Sequence, residues 1–379
     1  MNNIEIIICL VLLFMVVPDL CAKVGRPALA FSAFVVLGFV LRPAVPEAAR
    51  SLLHQAGQVG FLLLLFEVGL EIDLPPVREL ARPLRFALIW SLAQYPIVLG
   101  LGRLAGLNLM EALTASASLT ACSVGMAYPA WKNFPGLNEA SRPFILRIMV
   151  ALETLAIVLL AVETTTLGKG LGWNVLLRLL GIIVTVWLVA RFSKHLNKLF
   201  QMALQKTTRW RVHMLVLLVL AVCAVGERLG LDAAKTAFFL GLFMRHIRHQ
   251  GRPLADFMAP ISHQFLIPLF FVGLGLEIDW NILLDWLSAL ALGTAAVLLL
   301  AREVMHRRWL PTGGGSRAYL ILCPNLTMVA LAANAFIEHG TAPRLAAWLV
   351  LTGLLMTVPA ILLLPSTREP TRESPATTG

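Results

Sequence analysis

The sequence predicts an all-α polytopic membrane protein of about thirteen crossing helices, laid out as two inverted six-helix repeats with broken crossing helices. Three observations lead there: too few charges for a water-facing surface, apolar blocks of spanning length, and a short run that recurs at matching places in the two halves. Of 379 residues, 58% are hydrophobic and 14% charged, whereas a soluble chain carries about 25% charged residues. Mean hydropathy is +0.81. The apolar residues gather into blocks such as 4–17, 28–41, 214–225, 289–300 and 346–364. With their flanks, several reach the ~20 residues that a bilayer core requires.

Polar, Gly and Pro breaks divide the chain into segments near 4–22, 27–42, 53–71, 83–105, 109–130, 143–164, 171–192, 211–229, 233–247, 261–277, 283–304, 318–337 and 344–364. The first opens on Met1-Asn2-Asn3-Ile4-Glu5, with no basic stretch and no small-residue cleavage pattern, so it reads as a helix and not a signal peptide. Segment 233–247 is short, with Asp232 and Lys235 at its start. About three quarters of the 31 basic residues fall in the loops after segments 1, 3, 5, 7, 9 and 11 and in the tail. Basic residues collect on the cytoplasmic side, which puts the C-terminus in the cytoplasm and the N-terminus outside a cell inner membrane. The net charge of +10 then reflects topology and a lipid bilayer, with no nucleic-acid partner. Cys9, Cys21, Cys122, Cys223 and Cys323 lie in or beside apolar segments without CxxC spacing, which excludes a zinc site or disulfide framework. The expected organisation is a transmembrane domain over 1–364, with repeats about 4–164 and 211–364, a linker helix at 171–192, and a short cytoplasmic tail at 365–379.

The recurring run is Gly69-Leu70-Glu71-Ile72-Asp73, closing the third segment, and Gly275-Leu276-Glu277-Ile278-Asp279, closing the tenth. Each occupies the third place of a six-helix half. The offset between them is seven helices, an odd number, so the halves lie upside down relative to each other. Transporters built from inverted repeats bind their substrate near the midplane on helices broken at corresponding places. The fifth segment carries Ser116, Ser118, Thr120, Ser123 and Gly125, and the twelfth carries Pro324, Asn325 and Thr327 in mid-span. Proline removes an N–H and clashes with the previous turn, and asparagine is costly in hydrocarbon unless it faces a cavity or a partner. Both breaks fall fifth in their half, which points to a transporter.

Ionisable residues inside a span mark function by default. Glu153 stands near the middle of the sixth segment, between Leu152 and Thr154. Desolvation disfavours a charged carboxylate, while water or a cation restores it, so one group can carry either a proton or a cation. A structural pairing is the plainer alternative. Arg302, read as ending the eleventh segment, either reaches to the interface or counters the Glu153 charge. Glu67 lines the cavity or pairs within the scaffold, and Glu71, Asp73, Glu277 and Asp279 read as solvated helix ends. No GxxxxGK[ST] loop occurs; Gly313-Gly314-Gly315 is followed by Ser316 and Arg317. A gradient-driven carrier follows, with no enzyme activity, no cofactor and no metal cluster.

Four stretches resemble the monovalent cation:proton antiporters, in their bacterial sodium- or potassium/proton branch. Residues 61–73 are similar to that family's LLFLxGLExD run and 120–125 to its broken-helix ATSVG. Residues 236–241 are similar to its GAFLAG, and 268–277 to its PLFFxxxGL. The resemblance implies exchange of Na⁺ or K⁺ for protons by a homodimer, each protomer pairing a dimerisation domain with a mobile core that moves as an elevator. It also implies a cation site on the sixth helix, where Glu153 matches the second member of a polar pair, and an assisting basic residue matched by Arg302. The chain departs from the pattern at Leu152, which replaces the first polar member, at Glu153 in place of Asp, at Asn325, and at Lys235 and Thr236. With Glu153 as shared site, Thr120 and Ser123 help from the first break, and Asn325 and Thr327 face them from the second. A single carboxylate implies electroneutral exchange. The competing readings are a sodium-coupled organic anion carrier of similar architecture and a non-transporting membrane sensor or subunit.

Overall fold

The computed structural model describes residues 3–71, 77–134, 137, 141–163, 180, 184, 187, 191–192, 195–196, 198–202, 210–228, 233–249, 251–309 and 317–364. The chain is helical nearly throughout. Its helices are α1 (Asn3–Lys23), α2 (Leu29–Leu41), α3 (Glu47–Glu71), α4 (Val77–Ala105), α5 (Leu109–Thr120), α6 (Val124–Asn133) and α7 (Ser141–Glu163). After these come α8 (Arg211–Arg228), α9 (Ala233–Met244), α10 (Leu254–Ile261), α11 (Ile267–Glu277), α12 (Trp286–Trp309), α13 (Leu326–Glu338) and α14 (Pro343–Leu363). Among the described residues, eight helical stretches are long and apolar enough to cross a membrane. The expected linker 171–192 and the tail 365–379 lie outside the described residues, apart from scattered positions of the former.

Helix α1 shows why a bilayer is the solvent. Ile6, Leu10, Phe14 and Val17 form one buried stripe at helical spacing, yet Ile4, Ile8, Leu12 and Met15 on the other faces are exposed. A helix apolar all round, with one stripe against protein, needs hydrocarbon on the rest.

Several boundaries differ from the sequence expectation. The third and fourth helices begin earlier, at Glu47 and Val77, and α4 continues through Pro83 and Pro96. Segment 109–130 is broken, as expected, into α5 and α6. Segment 261–277 starts at Leu254 and passes through a π-helical turn at Ser262–Leu266, an insertion of the sort that marks functional or strained places in helices. Segment 283–304 runs on to Trp309. Among the described residues, one pair of short strands interrupts the helices: Arg248–His249 and Arg252–Pro253 pair as a two-stranded hairpin, with Gly251 at φ 77° between them.

Two layers pack together. In the first, α3 crosses α9 and α11, and α2 crosses α11, with α1 and α8 alongside. In the second, α4 packs on α5, α7 and α12, and α14 packs on α12 and α13. The tightest crossings are in the first layer. A Cβ on Gly241 of α9 would overlap the Phe66 carbonyl of α3, and one on Gly275 of α11 would overlap the Val35 carbonyl of α2. The glycine of each recurring run is thus a contact residue: Gly69 faces Gly241, and Gly275 faces Gly38. Small residues let helix backbones approach in a membrane, where packing and not water drives association. Beside the second crossing, Arg42 donates to the Leu276 carbonyl at 2.7 Å and pairs with Asp279 at 3.1 Å. Asp279 is therefore an ion-pair partner and cap, not merely a solvated end; Asp73 lies outside the described residues.

Candidate functional site

The second layer holds the two breaks. Helix α5 starts at a capping box, in which Asn108 and Glu111 exchange side-chain-to-backbone bonds of 2.9 and 2.7 Å. It stops at Thr120, where Ala121 turns extended (φ −67°, ψ 168°), and α6 begins after Ser123. In the second break, a 3₁₀ turn at Ala318–Leu322 stops at Cys323, and α13 begins after Asn325. Pro324 has no N–H to continue the ladder, so the interruption is local chemistry.

The breaks touch. The Ser123 N–H donates to the Pro324 carbonyl at 2.7 Å, and the Cys122 thiol lies 3.6 Å from the Ile321 carbonyl. Two helix C-termini therefore end at one place in the protein interior, leaving carbonyls that an unbroken helix would have satisfied. Arg302 satisfies them. It is completely buried, two turns before the end of α12. Its Nη2 donates to the Leu119 carbonyl at 2.6 Å, its Nη1 to the Leu322 carbonyl at 3.1 Å, and its Nε to Gln94 Oε1 at 2.8 Å. A cation placed where two helix dipoles end negative is stabilised by both. Arg302 is thus neither at the helix end nor reaching to the interface. Its partners are backbone carbonyls and an amide.

Asn325 completes the crossing. Its Nδ2 donates to the same Leu119 carbonyl at 2.8 Å, and Thr357 bridges to its Oδ1 and its N–H at 3.2 Å each. Thr120 donates its hydroxyl back to Ser116 at 2.8 Å, so its oxygen lone pairs are what it has left to offer. Ser123 is buried, as is Thr327, whose hydroxyl has no hydrogen-bond partner among the described residues.

Glu153 is 1% exposed in the middle of α7. Its helix packs on α4 and α5. The Cys122 thiol, in the first break, lies within electrostatic range of both Glu153 and Arg302. The expected residues Thr120, Ser123, Glu153, Arg302, Asn325 and Thr327 therefore converge around the two breaks. Glu67 does not. It is buried in the first layer, where it accepts a hydrogen bond from Ser262 and faces His263 Nε2 at 2.9 Å, at the π-helical turn. Sequence reasoning missed Gln94 and Thr357, both fully buried. Each was visible as a polar residue within an apolar span, two residues before a proline (Pro96, Pro359), but the sequence does not say what they contact. Among the described residues, no three His, Cys, Asp or Glu side chains are grouped to hold a metal ion.

Two discontinuous helices crossing inside a multi-pass helical membrane protein, with a buried carboxylate beside them, define a secondary transporter. The model of the family "Sodium/hydrogen exchanger, transmembrane" matches residues 7–363, and the chain belongs to that family. It is 25% identical over 270 residues to the probable Na(+)/H(+) antiporter GerT of Bacillus cereus, covering 69% of this chain and 70% of that protein. It is 24% identical over 348 residues to the probable Na(+)/H(+) antiporter 3 of Methanocaldococcus jannaschii, covering 86% of each. The fold is that of the sodium proton antiporter MjNhaP1 from the same archaeon, with a TM-score of 0.63 over 95% of each chain at 12% identity.

Proposed function

We propose that this chain is a secondary active transporter that exchanges Na⁺ or K⁺ for protons, with Glu153 as the shared binding group. The observation that carries the reading is a buried carboxylate beside two crossing breaks whose exposed carbonyls are already matched by Arg302. Helix termini that meet inside a membrane supply freed backbone groups for an ion. Arg302 holds the negative ends together without a bound ion, so the site survives while empty. Thr120 and Ser123 from the first break, and Asn325 and Thr327 from the second, offer the neutral oxygens that a monovalent cation needs beside one carboxylate. Proton and cation compete for Glu153: each leaves it neutralised, and each permits the site to cross a hydrocarbon layer at lower cost than a bare charge. One carboxylate that carries one charge in either direction makes the exchange electroneutral.

The two layers support a division into a scaffold and a moving core, with inverted repeats about 4–164 and 211–364 joined through 171–192. The paired glycine crossings support the repeat, since Gly69 with Gly241 joins the third helix of the first half to the second of the other, and Gly275 with Gly38 joins them the other way round. In this reading the protein is a homodimer in the cell inner membrane, N-terminus outside and C-terminus cytoplasmic. An organic anion carrier would need Arg302 for its substrate, whereas Nε, Nη1 and Nη2 of Arg302 all bind protein oxygens.

The test is recovery of a pH gradient in proteoliposomes on adding Na⁺, K⁺ or Li⁺, for wild type and Glu153→Gln. Recovery with one cation, abolished in the variant, is the expected outcome. Equal recovery in the variant would remove Glu153 from the mechanism, and cation binding without any flux would favour a sensor.

A further inference from the structure

A cavity of about 90 Å³ lies between the two layers, walled by α3 and α9 on one side and by α7 and α13 on the other. Its α7 wall is Ile157 and Leu160, four and seven residues beyond Glu153 and therefore on the same helical stripe. Its α13 wall is Leu331, Asn334 and Glu338, which continue the stripe that begins at Thr327, four residues before Leu331. Ile157 and Leu331 are thus the lining residues nearest the breaks, about one turn along their helices from Glu153 and Thr327.

The far end of the cavity is polar. Glu338 is exposed there, one turn above the buried Asn334. Asn334 donates its Nδ2 to the Glu338 carboxylate at 2.8 Å, and its Oδ1 accepts from Gln58 of α3 at 3.0 Å. The amide is thereby held from the opposite layer with its donors towards the carboxylate. Lys235, on α9, lines the same cavity from the facing wall. None of these groups is needed to hold the breaks together.

We infer that Asn334 and Glu338 form the cation-receiving mouth of the passage to Glu153, and that Lys235 is the resident positive charge which an arriving monovalent cation replaces. This rests on the exchanger reading above. A carboxylate at the wet end of a low-dielectric cleft raises the local concentration of cations. A lysine in the same cleft opposes that, and its ammonium occupies the charge that Na⁺ or K⁺ would otherwise take. The two residues therefore have opposite effects on cation capture, and only from the face onto which α13 ends.

The experiment is exchange in right-side-out and everted membrane vesicles holding the full chain, reading the apparent KM for the cation from each face. Glu338→Gln should raise KM roughly fivefold from the mouth face, the size expected for one exposed charge, with the maximal rate and the opposite-face KM unchanged. Glu338→Asp should recover part of the loss. Lys235→Met should lower KM from the mouth face alone. A structural role would depress the rate equally from both faces and would give no decrease for Lys235→Met. Should Glu338→Gln insert poorly, Glu338→Asp and Lys235→Met carry the same test. Unchanged KM in these variants, or equal changes from both faces, would overturn this inference while leaving the exchanger reading intact. Wild type that exchanges neither Na⁺ nor K⁺ would instead remove the exchanger reading, and this one with it.

Discussion

Where α3 meets α9 the two helices have shed their side chains, and where the two breaks meet the chain has filled the gap with polar groups. At Gly69 and Gly241, and again at Gly38 and Gly275, backbone rests on backbone with no room for a methyl group. At the breaks, Arg302, Asn325, Gln94 and Thr357 bind freed carbonyls, one another and the backbone. The first kind of crossing is held by close backbone packing, with no space for a side chain between the helices. The second has its helix ends held by side-chain donors, chiefly Arg302 and Asn325. In the exchanger reading proposed above, this contrast divides a supporting layer from the layer that holds the site.

The contrast can be broken first at Arg302. Arg302→Met removes the donors to Leu119, Leu322 and Gln94 while keeping an apolar stem. We expect exchange to vanish and stability in detergent to fall by about 3–5 kcal/mol, as when a buried charged network loses its centre. Denaturation of the purified protein, followed by thermal shift, measures this. A variant as stable as wild type would show that water replaces the guanidinium and that the breaks do not depend on it.

The scaffold side breaks at its glycines. Gly241→Val drives a branched side chain into the Phe66 carbonyl and should cost about 2–3 kcal/mol, the upper range for overpacking. Whatever protein survives should keep its apparent KM for the cation, because no site residue moves. A changed KM at normal stability would mean that the scaffold crossing shapes the site directly.

A smaller effect sharpens the core side. Asn325→Ala leaves the Leu119 carbonyl bonded to Arg302 but strips Thr357 of a partner, at about 1 kcal/mol for the lost hydrogen bond. Here the cation KM should rise while the protein still folds, read by exchange at matched amounts of reconstituted protein. An unchanged KM would reduce Asn325 to a cap.

Much of this was legible in the sequence, for reasons that particular residues make plain. Pro324 and the Ser/Thr/Gly run at 116–125 announce broken helices because local chemistry alone makes them break. The Gly-Leu-Glu-Ile-Asp runs are the basis of the proposed repeat, and their glycines are close contacts between helices and not simply helix ends. Glu153 stands out because no soluble surface exists to explain it. What sequence could not give were the partners at long range. Arg302 is followed by Glu303 and looks like the end of a span, yet α12 runs on to Trp309, and its guanidinium binds carbonyls 183 and 20 residues away. Glu67 likewise depends on Ser262, 195 residues distant, and on a π-helical turn that no composition announces. The split of segment 109–130 falls at Ala121–Ser123, within the 120–125 stretch that resembles the family's broken helix; what the sequence does not show is that the second break packs against it.

The central claim is that one carboxylate takes the proton and the cation in turn. The most direct measurement is the apparent cation KM in proteoliposomes across a series of pH values. If Glu153 serves both ions, KM should climb by about tenfold for each unit of added acidity once the site is mostly protonated, with the maximal rate at saturating cation unchanged, since competing ligands are linked reciprocally. A KM that stays constant while the maximal rate falls would place the proton and the cation on separate groups and contradict the account.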